Sequence, residues 1–241
     1  MTALTLSDII SQAESLGSAR TKKQYISQGA VEPLFGNTIT SLKPIAKKLL
    51  KQDNTQDLAF ELYNTGNYDL MYLAGMIVDP TLMTKADFDG WMTKAYFHMI
   101  SDYIIAVSLS EVDIAQEVAD AWILSSEDLY KSAGYSTYSW KIASSPDTLF
   151  NKNNLLKMLN TVEATIHDAS GRAKYSMYYF LYNVGVSYTP LHEEAMAVAN
   201  RIGDVTIIDA KEKTRTYSAS KEIMKQVDKG KLGFKRRNVR C

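Results

Sequence analysis

With 241 residues, 46% of them hydrophobic, the chain is long enough to bury a substantial core, as one elongated domain or two small ones. Lysine plus arginine and aspartate plus glutamate both total 27, so no net charge draws the whole molecule onto nucleic acid or an anionic membrane, and any basic surface must be local. The single cysteine, Cys241, excludes an internal disulfide framework and a cysteine zinc cluster within one chain, and fits a reducing compartment.

Met1 to Ser18 has neither the basic start nor the continuous apolar stretch of a signal peptide, and no apolar run, Tyr103 to Leu109 included, approaches the roughly 20 residues that span a bilayer. The expectation is a soluble, cytoplasmic protein with no membrane partner. Apolar positions then recur every three or four residues along most of the chain, which predicts helices joined by short turns. Leu42, Ile45, Ala46, Leu49 and Leu50 form one such stripe, with Lys43, Lys47, Lys48 and Lys51 near or opposite it. Helices follow at about 55–64 and 68–78, the latter ended by Asp79-Pro80, and the next is opened by Thr84, which can cap the backbone while Asp87 reaches back. Further helical stretches fall at about 112–124, 126–142, 154–167, 173–186 and 190–202, with Pro190 suited to a first turn. Connections of a few residues set successive helices antiparallel, and helix pairs spaced roughly 35 to 45 residues apart are the signature of HEAT or armadillo arrays. A plain helical bundle is the alternative arrangement.

Residues 211–240 change character, carrying a net charge of +8 and leaving the rest of the chain at −8. The expected organisation is a helical repeat domain over 1–205 with a basic extension over 206–241. Lys235, Arg236, Arg237 and Arg240 stand in this extension, either to meet phosphate or to dock on the acidic body itself. Three histidines, His98, His167 and His192, in no His-x-x-x-His pair and with no carboxylate cluster beside them, give no support for a metal site. Glycine-rich phosphate loops are absent, as is a G-x-S-x-G elbow.

The segments Glu32-Pro-Leu-Phe-Gly-Asn-Thr-Ile-Thr-Ser-Leu-Lys-Pro-Ile-Ala-Lys47, Leu58-Ala-Phe-Glu-Leu-Tyr-Asn-Thr-Gly66, Leu73-Ala-Gly-Met-Ile-Val-Asp-Pro80, Asp89-Gly-Trp-Met92, Arg172-Ala-Lys-Tyr-Ser-Met-Tyr-Tyr-Phe-Leu-Tyr-Asn-Val-Gly185 and Gly233-Phe-Lys-Arg-Arg-Asn-Val-Arg-Cys241 follow one another in an order and spacing that resembles the AlkD-type DNA alkylation repair glycosylases, as a divergent branch. The resemblance spans nearly the whole chain. It implies an all-α, HEAT-like repeat solenoid, a curved stack of antiparallel helix pairs whose concave face holds duplex DNA, and hydrolysis of the N-glycosidic bond of cationic N3- and N7-alkylpurines without metal or cofactor.

Cleaving that bond leaves positive charge on the deoxyribose, so the family's reaction uses a carboxylate held near the sugar. The resemblance places it at Asp102, although Ser101 and Asp102 also precede the apolar run from Tyr103 to Val107 and are placed to cap a helix there. One turn earlier, where the family carries a tryptophan for its cation-attracting face, this chain has His98, a weaker partner when neutral and a repulsive one when protonated. A second family tryptophan falls on Tyr179. Tyr175, Tyr178, Tyr179 and Tyr182 share one helical face, either to pack on a neighbour or to face a base. The family's phosphate-gripping arginine falls on Ala133, or on Gly134 in the other register; neither can donate, and Lys131 is the nearest cation. Two readings follow. In the first, the chain has little or no glycosylase activity and acts as a binding scaffold for unusual DNA, RNA or a protein partner; in the second, it excises alkylpurines through Asp102.

Overall fold

A computed structural model describes residues 3–169, 171–208 and 213–240; Lys211, Glu212 and Cys241, which figure in the sequence reading, lie outside these ranges. The chain forms two compact units, the first taking the residues up to Val112 together with Arg240, the second Asp113–Val239.

The first unit opens with α1 (Leu6–Leu16), where the Asp8 amide donates to the Thr5 hydroxyl at 3.2 Å and the Thr5 amide to the Asp8 carboxylate at 2.9 Å, a reciprocal cap that satisfies two otherwise orphaned donors. α2 (Ala19–Ile26) is capped by Ser18. In α3 (Ile39–Leu49) the stripe Leu42, Ile45, Ala46 and Leu49 is buried as the periodicity predicts, while Leu50 falls at the C-cap and is 59% exposed. α4 (Thr55–Asn64) and α5 (Tyr68–Ile77) pack as a pair, α5 being apolar nearly all round and buried accordingly. Asp79 and Pro80 end α5 and begin a 3-10 turn, and α6 (Lys85–Thr93) starts with the expected box, the Thr84 amide donating to Asp87 at 2.8 Å. Its Trp91 lies parallel to Tyr63 of α4, with ring centroids 4.0 Å apart and planes 2° from parallel.

Behind α1, a loop is drawn inward. Gly36, at φ +85°, takes a backbone conformation that side chains disfavour, and a Cβ there would lie 2.5 Å from the Ser18 carbonyl. This lets three successive amides, Phe35, Gly36 and Asn37, converge on the carboxylate of Asp69 at 2.5, 3.0 and 2.7 Å. Burial raises the Asp69 carboxyl above its ordinary value, and the three amides offset part of that rise.

The second unit is built around α10 (Asp128–Ser144), which packs on α9 (Ala115–Ile123) and on α12 (Gly171–Ser187). Residues 132–139 of α10 are all buried although six of them are hydroxyl-bearing serine, threonine or tyrosine. Their polarity is absorbed locally: Thr137 and Ser139 donate to carbonyls one turn back, and Ser132 meets Ser176 of α12 at 2.6 Å. Around this seam pack α11 (Lys152–Thr165) and α13 (His192–Ile202). His167 and His192 each bond a backbone carbonyl, of Ile202 at 3.0 Å and Gly185 at 2.6 Å, so both rings are structural.

The departure from the sequence reading follows α13. Residues Asp204–Ile208 (β1) and Thr214–Ser218 (β2) pair antiparallel, Asp204 opposite Ser218, and they are the only strands among the described residues. Val205 and Ile207 turn inward, and α14 (Ala219–Val227) then buries Ala219 and Ile223, the latter against Gly185 of α12.

Candidate nucleic-acid interface

In the first unit, Asp102 does not cap a helix. The helical segment over 98–110 begins earlier, as α7 (His98–Ile100), widens to π geometry over Ser101–Ile105 and returns to α-helix as α8 (Ala106–Ser110). Asp102 therefore sits inside the wide turn, 1% exposed, accepting the Ser101 hydroxyl at 3.0 Å. Such π turns concentrate at functional sites, because the extra residue re-aims its neighbours. Here the turn also drives Ile104 against Gly75 of α5. His98, at the start of the same segment, is half-buried with its ring edge-on to Phe97 at 4.5 Å.

In the second unit, the tyrosine face of α12 divides its labour. Tyr178 is buried, whereas Tyr175, Tyr179 and Tyr182 are half-buried and line one side of a cleft of about 490 Å³. Their rings run nearly parallel, Tyr175 to Tyr179 at 6.2 Å and 12°, Tyr179 to Tyr182 at 5.6 Å and 16°. Tyr217 of β2 closes the other side, edge-on to Tyr175 at 5.8 Å. The guanidinium of Arg172 lies 4.2 Å from the centre of the Tyr175 ring. Burial, with help from the Glu222 carboxylate, pushes the Tyr178 and Tyr182 phenols up from their ordinary values. Tyr178 thus packs in the core, while Tyr175, Tyr179 and Tyr182 border the cleft.

The row is held in place from α10. Asp128 accepts the amides of Arg172 and Ala173 at 2.8 and 2.9 Å, capping α12 from a neighbouring helix. Asp128→Ala should lower the stability of the second unit by about 1–2 kcal/mol, the usual loss for a helix cap, read as an earlier urea midpoint. An unchanged midpoint would show that water replaces the carboxylate without loss.

Lys131 is half-buried near the start of α10. Ala133, the position of the family arginine, is fully buried, and a Cβ on Gly134 would lie 2.7 Å from Ile123 and 2.8 Å from the Ala119 carbonyl of α9. Neither register leaves room for an outward cation. In the basic extension, Lys235 pairs with Asp147 at 2.8 Å and Arg240 with Glu111 at 2.7 Å, while Arg236 and Arg237 are exposed. Sequence reasoning missed Tyr217, which lies in β2, a short and largely polar strand. It also missed the Asp128 cap, because the partners stand 44 residues apart. Among the described residues no group of His, Cys, Asp and Glu is placed to hold a metal ion, and no helix is long and apolar enough to cross a membrane.

Comparison with known proteins agrees with this architecture. A solved structure sharing 47% identity, described as a new family of proteins related to the HEAT-like repeat DNA glycosylases with affinity for branched DNA structures, superposes with a TM-score of 0.92 and covers 99% of this chain and 100% of its own. Uncharacterised proteins of Listeria innocua serovar 6a and Listeria monocytogenes serovar 1/2a are 29% and 28% identical over 208 residues, 85% of this chain and 89% of theirs. The fold is accordingly all-α and HEAT-like. The family model described as DNA alkylation repair enzyme matches residues 9–219, so the chain belongs to the DNA alkylation repair enzyme family.

Proposed function

We propose that this protein binds branched DNA and excises alkylated purines weakly or not at all. The burial of Asp102 carries the second half of that reading: a carboxylate 1% exposed and engaged by Ser101 is not presented to a deoxyribose unless the π turn opens. His98 and Tyr179 in place of indoles weaken any hold on a cationic base. The first half is supported by the 47% identity to a protein described as having affinity for branched DNA. Tyr175, Tyr179 and Lys131 are the DNA-facing candidates of the second unit, with Arg236 and Arg237 supplying phosphate contacts.

The test pairs two assays on one preparation at low salt, where phosphate contacts weigh most. Release of N7-methylguanine from methylated duplex should stay at the level of the protein-free control. Three-way and four-way junctions should bind about tenfold or more tightly than linear duplex of equal length, corresponding to roughly 1.4 kcal/mol. Robust base release that is lost in Asp102→Asn would establish the alternative, an active monofunctional glycosylase using Asp102. Equal affinity for junction and duplex would remove the branched-DNA reading and turn attention to a protein partner.

A further inference from the structure

The segment Lys231-Leu-Gly-Phe-Lys-Arg-Arg237 carries one aromatic and four basic residues, and its conformation sorts them. Three bonds fasten it to the ends of α10 and α12: the Gly233 amide donates to the Val186 carbonyl at 2.8 Å, the Arg236 amide to Ala143 at 2.7 Å, and Lys235 Nζ to Ile142 at 2.7 Å. Lys235 is thereby turned inward, where it also pairs with Asp147. Phe234 and Arg236, its neighbours on either side, are exposed, Phe234 at 54%.

Between this segment and the helices lies a pocket of about 280 Å³, distinct from the tyrosine cleft but sharing Tyr182 with it. It is lined on this side by Lys231, Phe234 and Arg236, with Asn183 and Gln226 contributing amides from α12 and α14. The carbonyls of Ala143 and Val186, which line it, accept the backbone amides of Arg236 and Gly233 rather than its side-chain cations. Lys231 and Arg236 make no ion pair among the described residues, and the Arg236 guanidinium is steered by the Trp140 ring, 5.4 Å from its centre. The Gln226 side-chain amide has no hydrogen-bond partner among them either, and Asn183 uses one donor on the Tyr179 carbonyl, leaving its oxygen to accept.

We propose that this pocket takes one unpaired nucleotide of a DNA branch point, its base against Phe234 and Tyr182, its edge read by Asn183 and Gln226, and its phosphate on Lys231 and Arg236. Two aromatic faces, two cations and two amides around a space this small fit one nucleotide, and fit neither a bare anion, which needs no rings, nor a paired base, whose faces are covered by its neighbours. Tyr182 leads from the pocket to Tyr179, so an unpaired strand continues along the row already described.

This assignment rests on the branched-DNA reading, and the experiment separates the two. A three-way junction carrying 2-aminopurine in an unpaired position at its branch is titrated with full-length protein, alongside the same junction fully paired. Quenching on the unpaired probe is expected, because the fluorophore stacks on a ring. Phe234→Ala should reduce it severalfold and weaken binding of that junction about tenfold, the scale of one lost base–aromatic stack, while leaving the fully paired junction within about twofold by the same reasoning. Arg236→Gln should weaken both, and lower the salt slope of binding by about one. As Phe234 is mostly exposed, its truncation leaves the fold intact, which a circular dichroism melt verifies. Junction binding with no quenching, or quenching unchanged in Phe234→Ala, overturns the pocket alone. No junction binding by the wild type overturns both readings. Free 2-aminopurine deoxynucleotide monophosphate should keep its emission at micromolar protein, and quenching of the free nucleotide without quenching in the junction would overturn the assignment to a DNA strand.

Discussion

Asp69→Ala is expected to destabilise the first unit by about 3–5 kcal/mol, because it strands three backbone donors, at about 1–3 kcal/mol each with partial relief from entering water. The amides of Phe35, Gly36 and Asn37 have no second acceptor arranged for them, and the loop they form lies between α2 and α3. Asp69→Asn retains one oxygen acceptor of nearly the same shape and should lose roughly half as much by the same accounting. Hydrogen exchange provides the sharpest measurement, since amides 35–37 should change from slow to fast while those of the second unit keep their rates. Slow exchange at 35–37 in the alanine variant would show that the loop is held by its other contacts.

Gly134→Val should destabilise the second unit by about 3 kcal/mol, at the upper end of overpacking effects. A glycine in mid-helix ordinarily weakens it by about 0.5–1 kcal/mol relative to alanine, so a side chain placed here has propensity in its favour. Space decides the sign. The added carbon would meet the Ala119 carbonyl oxygen at 2.8 Å and the Ile123 nitrogen at 3.0 Å, and backbone cannot swing aside as a side chain can. The helices α9 and α10 would have to separate, opening the contact of Trp122 with Tyr130, whose rings meet edge-on at 6.1 Å. An early thermal transition with loss of tryptophan near-ultraviolet signal is the expected observation; a wild-type melting temperature would mean that α9 shifts without penalty. The same geometry predicts that an arginine installed at 133 or 134 to recreate the family's phosphate contact would disrupt the fold rather than restore binding.

Helices were legible because their periodicity and punctuation agree. Asp79-Pro80 and Thr84 with Asp87 predict a break and a start within one residue of where they occur. The box at Thr5 and Asp8 carries the same spacing as the one at Thr84, so α1 was readable by the same rule although it was not anticipated. β1 and β2 were hidden for a different reason: they are five residues each, and only β1 alternates between buried and exposed, which is too short a pattern to stand out in a helical chain. The π turn is beyond local reasoning, since Ile100 through Ala106 carry the apolar spacing of an ordinary helix. Misreading that turn is what made Asp102 look like a cap. The tyrosine row was visible as a face, but Tyr217, which meets Tyr175 and Tyr178 from β2, was not.

Arg240 donates to the carbonyls of Val78 and Gly75 at the end of α5 and pairs with Glu111, all within the first unit. A ribosome delivers it about 130 residues after Val112, on the order of 6–25 s later at ordinary elongation speeds. Until then the carbonyls of Gly75 and Val78 lack that donor, so the unit that emerges first is completed no sooner than the second, which itself runs to Val239.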